Sequence, residues 1–265
     1  MKLIKPSARI VDRINGKEII EKIENCGRVC YKSEDKITDF ENSCKFVAGL
    51  IKSGHESVLE HVSISVRFIC DRGVSHELVR HRLASFSQES TRYVTYRCGC
   101  QFIIPHWIKA PLGDYVLDES QAIIQYRPFD WQSVSFDNYE NLYIEKCKTF
   151  DTDNIICDTG WYEIDMDDDA DDGETTIVWL LAMLRSEGSY LDLLELGWSP
   201  QQARSVLPNS TKTELITTAN IREWRHILKQ RTSKRAHPQM REVMLMLLEE
   251  FKKQIPVVFD DITGE

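Results

Sequence analysis

The densest group of chemically useful side chains lies between Arg80 and Arg92. Guanidinium groups are planar and permanently charged donors, and histidine changes its charge near neutral pH, so such a set suits a phosphate group beside a flat heterocycle. A helix end held by salt bridges is the structural alternative. The polar members of this segment are Arg80, His81, Arg82, Ser85, Ser87, Gln88, Glu89, Ser90, Thr91 and Arg92.

The charge of the chain is unevenly distributed. The net charge is -9, yet residues 204–241 hold nine Lys and Arg against two Glu, and residues 72–97 hold five Arg against two Glu. Two cationic segments in an acidic chain favour a confined site for phosphate groups, because a nucleic-acid coat usually makes a whole domain basic. Solvated helix faces would give the same charge pattern.

Several common catalytic motifs are missing from the sequence. His55 and His61 are six residues apart, whereas the zinc-hydrolase motif HExxH needs histidines four apart on one helix face. The sequence has no G-x-S-x-G elbow, no G-x-G-x-x-G fingerprint and no Walker A loop. A zinc protease, a serine hydrolase of that type and the usual nucleotide-binding loops are therefore excluded.

The remaining composition points to a globular chain without a metal site. Eight scattered cysteines and no secretory signal predict reduced thiols and a cytosolic protein. The longest apolar run, residues 177–184, is far shorter than the roughly 20 residues that a membrane span needs. Residues 158–174 hold nine acidic residues and predict a surface loop, but Ala170 stands where a calcium-binding EF-hand loop needs Gly.

The apolar periodicity predicts a mixed fold. We expect α-helices over residues 16–30, 39–51, 75–83, 176–196, 220–231 and 238–254, with a stop at Gly54 and a helix beginning near Pro200. Alternating residues predict strands over 64–70, 100–104 and 213–218. This pattern indicates an α/β or α+β fold in which helices pack over an antiparallel sheet.

Four ordered blocks resemble the flavin-dependent thymidylate synthases. Arg80-His81-Arg82, seven residues and then Ser90 resemble the RHRx7S signature of that family, and His55-Glu56 lies where the family has its GHE segment. Downstream, residues 203–208 resemble its ARxxLP block, and residues 220–231 resemble its NxR...R block. The resemblance covers roughly residues 53–105 and 179–250.

The resemblance implies the fold of that family as a single domain over residues 1–265, with an insertion at about 112–175. It also implies a homotetramer in which FAD and dUMP lie at subunit interfaces, with no nucleic acid, membrane or metal involved. The reaction it implies is the methylation of dUMP to dTMP, with 5,10-methylenetetrahydrofolate (methylenetetrahydrofolate below) as carbon donor and NADPH as the reductant of the flavin.

The resemblance also assigns individual residues. Arg231 corresponds to the arginine that stabilises the ionised pyrimidine. FAD contacts are implied for Ser57, Arg80, His81, Arg82, Gln88, Asn220, Arg222 and His226. dUMP contacts are implied for Glu77, Arg80, Ser90, Thr91, Arg92, Arg204 and Arg231.

The sequence departs from the family pattern in the binding blocks. Ser87-Gln88 replaces a common Asn-Glu, Glu77 stands where Gln is frequent, and His226 stands where Asn is frequent. Two alternatives therefore stay open. One is a family member that binds flavin and nucleotide without synthase activity. The other is a nucleic-acid-binding module that uses the basic helix over residues 220–241, with Arg225, Lys229 and Arg235 as the cations that contact the nucleic acid.

Overall fold

The structure is a computed structural model that describes residues 1–118, 123–128, 162–165 and 173–265. Within these residues it contains nine strands and seven α-helices. The strands are β1 (Lys2–Ile4), β2 (Ser7–Ile10), β3 (Ser63–Asp71), β4 (Ala84–Gln88), β5 (Gln101–Ile103), β6 (Gly113–Asp118), β7 (Ile123–Pro128), β8 (Tyr162–Asp165) and β9 (Lys212–Asn220). The helices are α1 (Gly16–Tyr31), α2 (Phe40–Lys52), α3 (Arg72–Leu78), α4 (Gly173–Glu195), α5 (Pro200–Ala203), α6 (Ile221–Arg231) and α7 (Pro238–Gln254).

The contacts divide the chain into two compact units. The first consists of Met1–Pro6, Cys70–Gly73 and Glu89–Thr213, and the second of Ser7–Ile69, Val74–Gln88 and Glu214–Glu265. That the whole chain is one domain stays a prediction. Most of the expected insertion at 112–175 lies outside the described residues, as do residues 158–161 and 166–172 of the acidic segment.

The first unit contains a five-stranded sheet in the order β5-β1-β6-β7-β8. β1 runs parallel to β5, whereas the other neighbours are antiparallel. Its core includes Leu3, Phe102, Tyr115 and Leu180, of which none is exposed to solvent. The expected strand near residues 100–104 is confirmed as β5.

The second unit contains most of a four-stranded sheet in the order β2-β3-β9-β4. β2 pairs antiparallel with β3, and β4 pairs antiparallel with β9. Trp224 and Phe251 join α6 to α7 in the core, with ring centroids 5.7 Å apart. The mixed fold with helices and antiparallel sheet is confirmed.

Most predicted helices agree with the structure because their ends carry clear capping signals. The Asp39 side chain accepts a hydrogen bond from the Asn42 amide at the start of α2, and Gly54, just after its end, has φ of +73°. Pro200 occupies the first turn of α5, behind a capping box formed by Ser199 and Gln202. Side-chain caps and a left-handed glycine are the usual signals of helix ends.

The helix expected over residues 75–83 is wrong in its bounds. α3 covers Arg72–Leu78, so Arg80, His81 and Arg82 lie in turns that lead into β4. β4 was not predicted, nor were β1 and β2. Ala84–Gln88 becomes a strand through its ladder with β9, where Phe86 pairs with Thr217, and this tertiary pairing leaves little trace in the local pattern.

None of the helices in the described residues is long and apolar enough to cross a membrane. In the same part of the chain, no three or more His, Cys, Asp or Glu side chains are grouped to hold a metal ion. The six cysteines described there, at positions 26, 30, 44, 70, 98 and 100, are free, as the sequence predicts.

An ion cluster fixes α6 in the second unit. The Arg225 side chain is only 1% exposed and donates to both carboxylate oxygens of Asp261, at 2.6 and 2.8 Å. It also donates to Oε1 of Glu56 at 3.2 and 3.3 Å and to the carbonyl oxygen of Val258. These contacts connect the C-terminal segment, α6 and the 3₁₀ turn Glu56–His61.

We predict that Arg225→Met lowers the free energy of unfolding by on the order of 2–3 kcal/mol, because several charge-assisted hydrogen bonds at a buried site are lost. Arg67→Met is the matched control, since Arg67 pairs with Glu214 on an exposed surface and such pairs contribute about 0–1 kcal/mol. Urea unfolding measures both variants. Equal losses in the two variants would contradict this role of Arg225.

Candidate functional site

A cleft of about 640 Å³ in the second unit gathers the charged residues of the signature. The turns after α3 contribute one side of it and α6 the other. Its charged and titratable lining residues are Arg80, His81, Arg82, Glu223, His226 and Arg231. Two segments separated by about 150 residues of sequence therefore meet in one place, as the two cationic segments led us to expect.

The sequence of α6 explains why it presents this face. The Asn220 side chain caps the helix by accepting from the Glu223 amide at 2.8 Å. Trp224, Ile227 and Leu228 are fully buried, and Trp224 also donates to the carbonyl oxygen of Ile64 at 2.9 Å. With one face held in the core, residues spaced by four on the other face, such as 222, 226 and 230, stay exposed.

Arg231 is the most constrained cation in the cleft. Its Nε donates to Nε2 of His81 at 3.0 Å, and its Nη1 donates to Oε2 of Glu77 at 2.8 Å. Its Nη2 donates to the backbone carbonyl oxygen of Glu77 at 3.3 Å. Three acceptors thus fix the plane of a half-buried guanidinium group.

His81 accepts from Arg231, so its Nε2 is unprotonated and its proton lies on Nδ1. Burial, reinforced by the charges of Arg231 and His226, lowers the pKa of His81 to about 4. The imidazole is therefore neutral at physiological pH. Glu223 lies 3.8 Å from Nδ1, and without a charge on His81 the two form no ion pair.

The guanidinium groups of Arg80 and Arg82 are available to a ligand. Both side chains are exposed, and neither forms a hydrogen bond or ion pair with any other residue that the structure describes. Free guanidinium groups at the rim of a cleft are suited to a phosphate or pyrophosphate group.

The other residues predicted to bind FAD lie in the same unit but do not line this cleft. Ser57 is exposed in the 3₁₀ turn Glu56–His61. Gln88 ends β4 and donates to the Ser75 hydroxyl at 3.0 Å. Asn220 is engaged as the cap of α6, and Arg222 pairs with Glu60 at 2.5 Å.

The residues predicted to bind dUMP fall into two groups, one in each unit. Glu77, Arg80 and Arg231 belong to the second unit. In the first unit, the Arg204 guanidinium donates to the Thr91 hydroxyl at 2.9 Å, and the Arg92 amide donates to the Ser90 hydroxyl at 3.3 Å. The side chains of Arg92 and Arg204 are exposed, so this second group is a cluster of cations and hydroxyls.

Sequence reasoning missed Glu223 and Gln230 in the lining of the cleft. Glu223 is 7% exposed, and burial raises its pKa. The sequence does place Glu223 in the first turn of a helix, because Asn220 followed three residues later by Glu223 fits the pattern of a helix start. Nothing in the sequence indicates that this carboxyl group faces the cleft.

Three of the described cysteines, Cys44, Cys70 and Cys100, do not have the properties of nucleophiles. Burial raises the pKa of Cys100 to about 12 and also raises the pKa values of Cys44 and Cys70. A thiol that stays protonated is a poor nucleophile.

Comparison with known proteins identifies the family. The model of the family described as thymidylate synthase complementing protein matches residues 9–257. A flavin-dependent thymidylate synthase of Corynebacterium efficiens is 30% identical over 246 residues, covering 92% of this chain and 79% of the relative. The chain belongs to the flavin-dependent thymidylate synthase family. Another family member, from Mycobacterium sp. (strain JLS), is also 30% identical, covering 90% of this chain and 78% of the relative.

A solved structure supports the fold of the family. The UMP/dUMP methylase PolB from Streptomyces cacaoi, bound with 5-Br dUMP, superposes with a TM-score of 0.66. The match covers 98% of this chain and 96% of PolB at 22% sequence identity. This similarity extends the family assignment to the three-dimensional fold.

The hypothesis of a nucleic-acid-binding helix is weakened, because one of its cations, Arg225, is buried. That hypothesis needs Arg225, Lys229 and Arg235 on an accessible surface. Arg225 is buried, and Lys229 lies 3.4 Å from Asp261 and 3.9 Å from Glu56. The expectation for Arg225 is wrong, because its guanidinium group serves the ion cluster of the fold.

The pKa of His81 predicts a pH-dependent stability. Between pH 6.5 and about 4 the unfolded chain binds a proton at residue 81 that the folded chain does not, so acidification favours unfolding. Acidification from pH 6.5 to about 4 therefore lowers the free energy of unfolding of the wild type. We expect His81→Gln, which keeps an acceptor for Arg231, to lose up to roughly 3 kcal/mol less over this range.

Denaturant unfolding of both proteins at a series of pH values measures the difference. Above pH 7 the offset between wild type and variant should be constant. Parallel stability curves between pH 7 and 4 would contradict a neutral buried His81.

Proposed function

We propose that this protein catalyses the FAD-dependent methylation of dUMP to dTMP, with methylenetetrahydrofolate as carbon donor and NADPH as reductant of the flavin. The observation that carries the proposal is Arg231, a cation fixed by three acceptors inside the cleft that Arg80, His81 and Arg82 of the signature line. Membership in the flavin-dependent thymidylate synthase family supports the chemistry.

The cleft has the donors that FAD needs. Arg80 and Arg82 carry exposed guanidinium groups without a partner among the described residues, and these groups match the paired charges of a pyrophosphate. The imidazoles of His81 and His226, with centroids 6.1 Å apart, add polar aromatic surface beside them. We assign these four residues to FAD, together with Ser57, Gln88, Asn220 and Arg222 of the same unit.

Arg231 is the residue we assign to the pyrimidine. A fixed cation next to the ring favours loss of the N3 proton and stabilises the resulting anion. Its neighbour His81 is neutral, so it orients the guanidinium group without adding a second charge. For the phosphate of dUMP we assign Ser90, Thr91, Arg92 and Arg204, whose hydroxyl and guanidinium groups cluster in the first unit.

The reaction needs no cysteine nucleophile in this proposal. Bound FAD, once reduced, would supply the hydride. The protein's own part is to bind the two flat rings, orient them and stabilise negative charge on the pyrimidine through Arg231. Ser90 has no base beside it among its described contacts and serves better as a phosphate donor than as a nucleophile.

The proposal includes a homotetramer with active sites at subunit interfaces. The exposed apolar side chains next to the signature are consistent with such an assembly, since Leu83 and Tyr93 are each 78% exposed. The cytosolic location expected from the sequence stays a prediction.

An absorbance spectrum of the purified protein with added FAD is the first test. We expect a bound-flavin spectrum that changes when dUMP is added, followed by dTMP formation once NADPH and methylenetetrahydrofolate are supplied. UMP should be assayed in parallel as a competing substrate. Flavin binding without any methylated product would instead support a family member without synthase activity, and a protein that takes up no FAD would contradict the proposal.

Arg231→Ala should reduce turnover to near the detection limit while FAD remains bound, because the guanidinium group is assigned to the pyrimidine. Arg80→Ala should weaken the binding of both FAD and dUMP, because we assign Arg80 to both ligands. Arg67→Ala, at an exposed ion pair outside the cleft, serves as the control. Flavin titration and a dTMP assay separate these effects. Equal loss of FAD in Arg231→Ala would show that Arg231 was assigned to the wrong ligand.

A further inference from the structure

Glu77 supplies two of the three acceptors that hold Arg231. Its carboxylate accepts from Nη1 at 2.8 Å, and its backbone carbonyl oxygen accepts from Nη2 at 3.3 Å. A guanidinium group has five N–H donors, and the contact with His81 uses the Nε donor. Among the described residues, one N–H on Nη1 and one on Nη2 therefore remain for a ligand.

The position of Glu77 at the end of a helix accounts for this double contact. α3 ends at Leu78, so the carbonyl groups of its last turn lack helical partners. The Glu77 carbonyl accepts from the Arg80 amide at 3.3 Å as well as from Arg231. The same residue thus ties the signature turn to the C-terminal end of α6.

The Glu77 carboxylate also reduces the net charge that Arg231 presents. The pair is partly shielded from water, because the Glu77 side chain is 35% exposed and the Arg231 side chain is 18% exposed. The other charged or titratable groups around the cleft are Arg80, Arg82, His81, Glu223 and His226. Of these, only Glu223 is also acidic, and it faces His81.

We propose that Glu77 is a positioning residue that holds the Arg231 guanidinium group and weakens its positive field, thereby setting how strongly the site favours an anionic pyrimidine. The proposal rests on the proposed function for its second half. It differs from a simple substrate contact, because Glu77 acts through Arg231. A Gln at this position would hold the guanidinium group without weakening its field.

Two variants separate the two roles. Glu77→Gln keeps a side-chain acceptor and removes the charge, whereas Glu77→Ala removes both. Glu214→Gln and Glu214→Ala are the matched controls, since Glu214 forms an arginine pair with Arg67 outside the cleft.

The charge is tested by ultraviolet difference titration of dUMP bound to the FAD-loaded enzyme. In Glu77→Gln we expect the pKa of the bound N3–H group to fall by about one unit, since a negative charge near the cation is gone. dUMP should bind more tightly, and the affinity for FAD should not change. An N3 pKa and dUMP affinity identical to those of wild type would overturn the electrostatic role.

The positioning role is tested without any nucleotide. Solvent exchange of the Arg231 Nε–H proton, followed by NMR, should be slow in wild type and in Glu77→Gln but at least about tenfold faster in Glu77→Ala. Unchanged exchange in Glu77→Ala would overturn this role. If wild type binds no dUMP, the proposed function fails and with it the electrostatic role, while the exchange measurement still decides whether Glu77 holds Arg231.

Discussion

A permanent positive charge that is both half-buried and immobilised is the constraint on which the site depends. The Arg231 guanidinium group cannot be neutralised at any relevant pH, so its surroundings must supply acceptors for its donors. The structure provides them from a neutral imidazole and from one glutamate through two different oxygens. Charge and orientation are thereby fixed before a ligand enters, which reduces the reorganisation needed in a reaction that builds negative charge.

α6 connects this site to the stability of the second unit. Its buried face carries Trp224 in the aromatic core and Arg225 in an ion cluster with Asp261. Its other face carries His226 and ends at Arg231, in the cleft. Arg225 and Arg231, six residues apart, therefore have different roles. Arg225 stabilises the fold and Arg231 is assigned to the proposed chemistry, and only their surroundings distinguish them.

The sequence predicted most of the helices, because apolar spacing and capping residues are local properties. Apolar spacing located α6 and α7. Arg80, His81 and Arg82 of the signature line the cleft, while the ligand roles of the predicted site residues stay predictions. The β4 strand was missed because it depends on a ladder with β9, more than 120 residues away in sequence. The contact between Glu77 and Arg231 spans 154 positions. No local pattern encodes such a pair, and the burial of Arg225 was hidden for the same reason.

A crystal structure of the protein with FAD and dUMP tests the central claim most directly. The account predicts the flavin against Arg80 and Arg82, with the pyrimidine of dUMP in hydrogen-bond reach of the two remaining N–H donors of Arg231. A complex in which both ligands are bound and the Arg231 guanidinium group touches neither the pyrimidine nor its phosphate would contradict it.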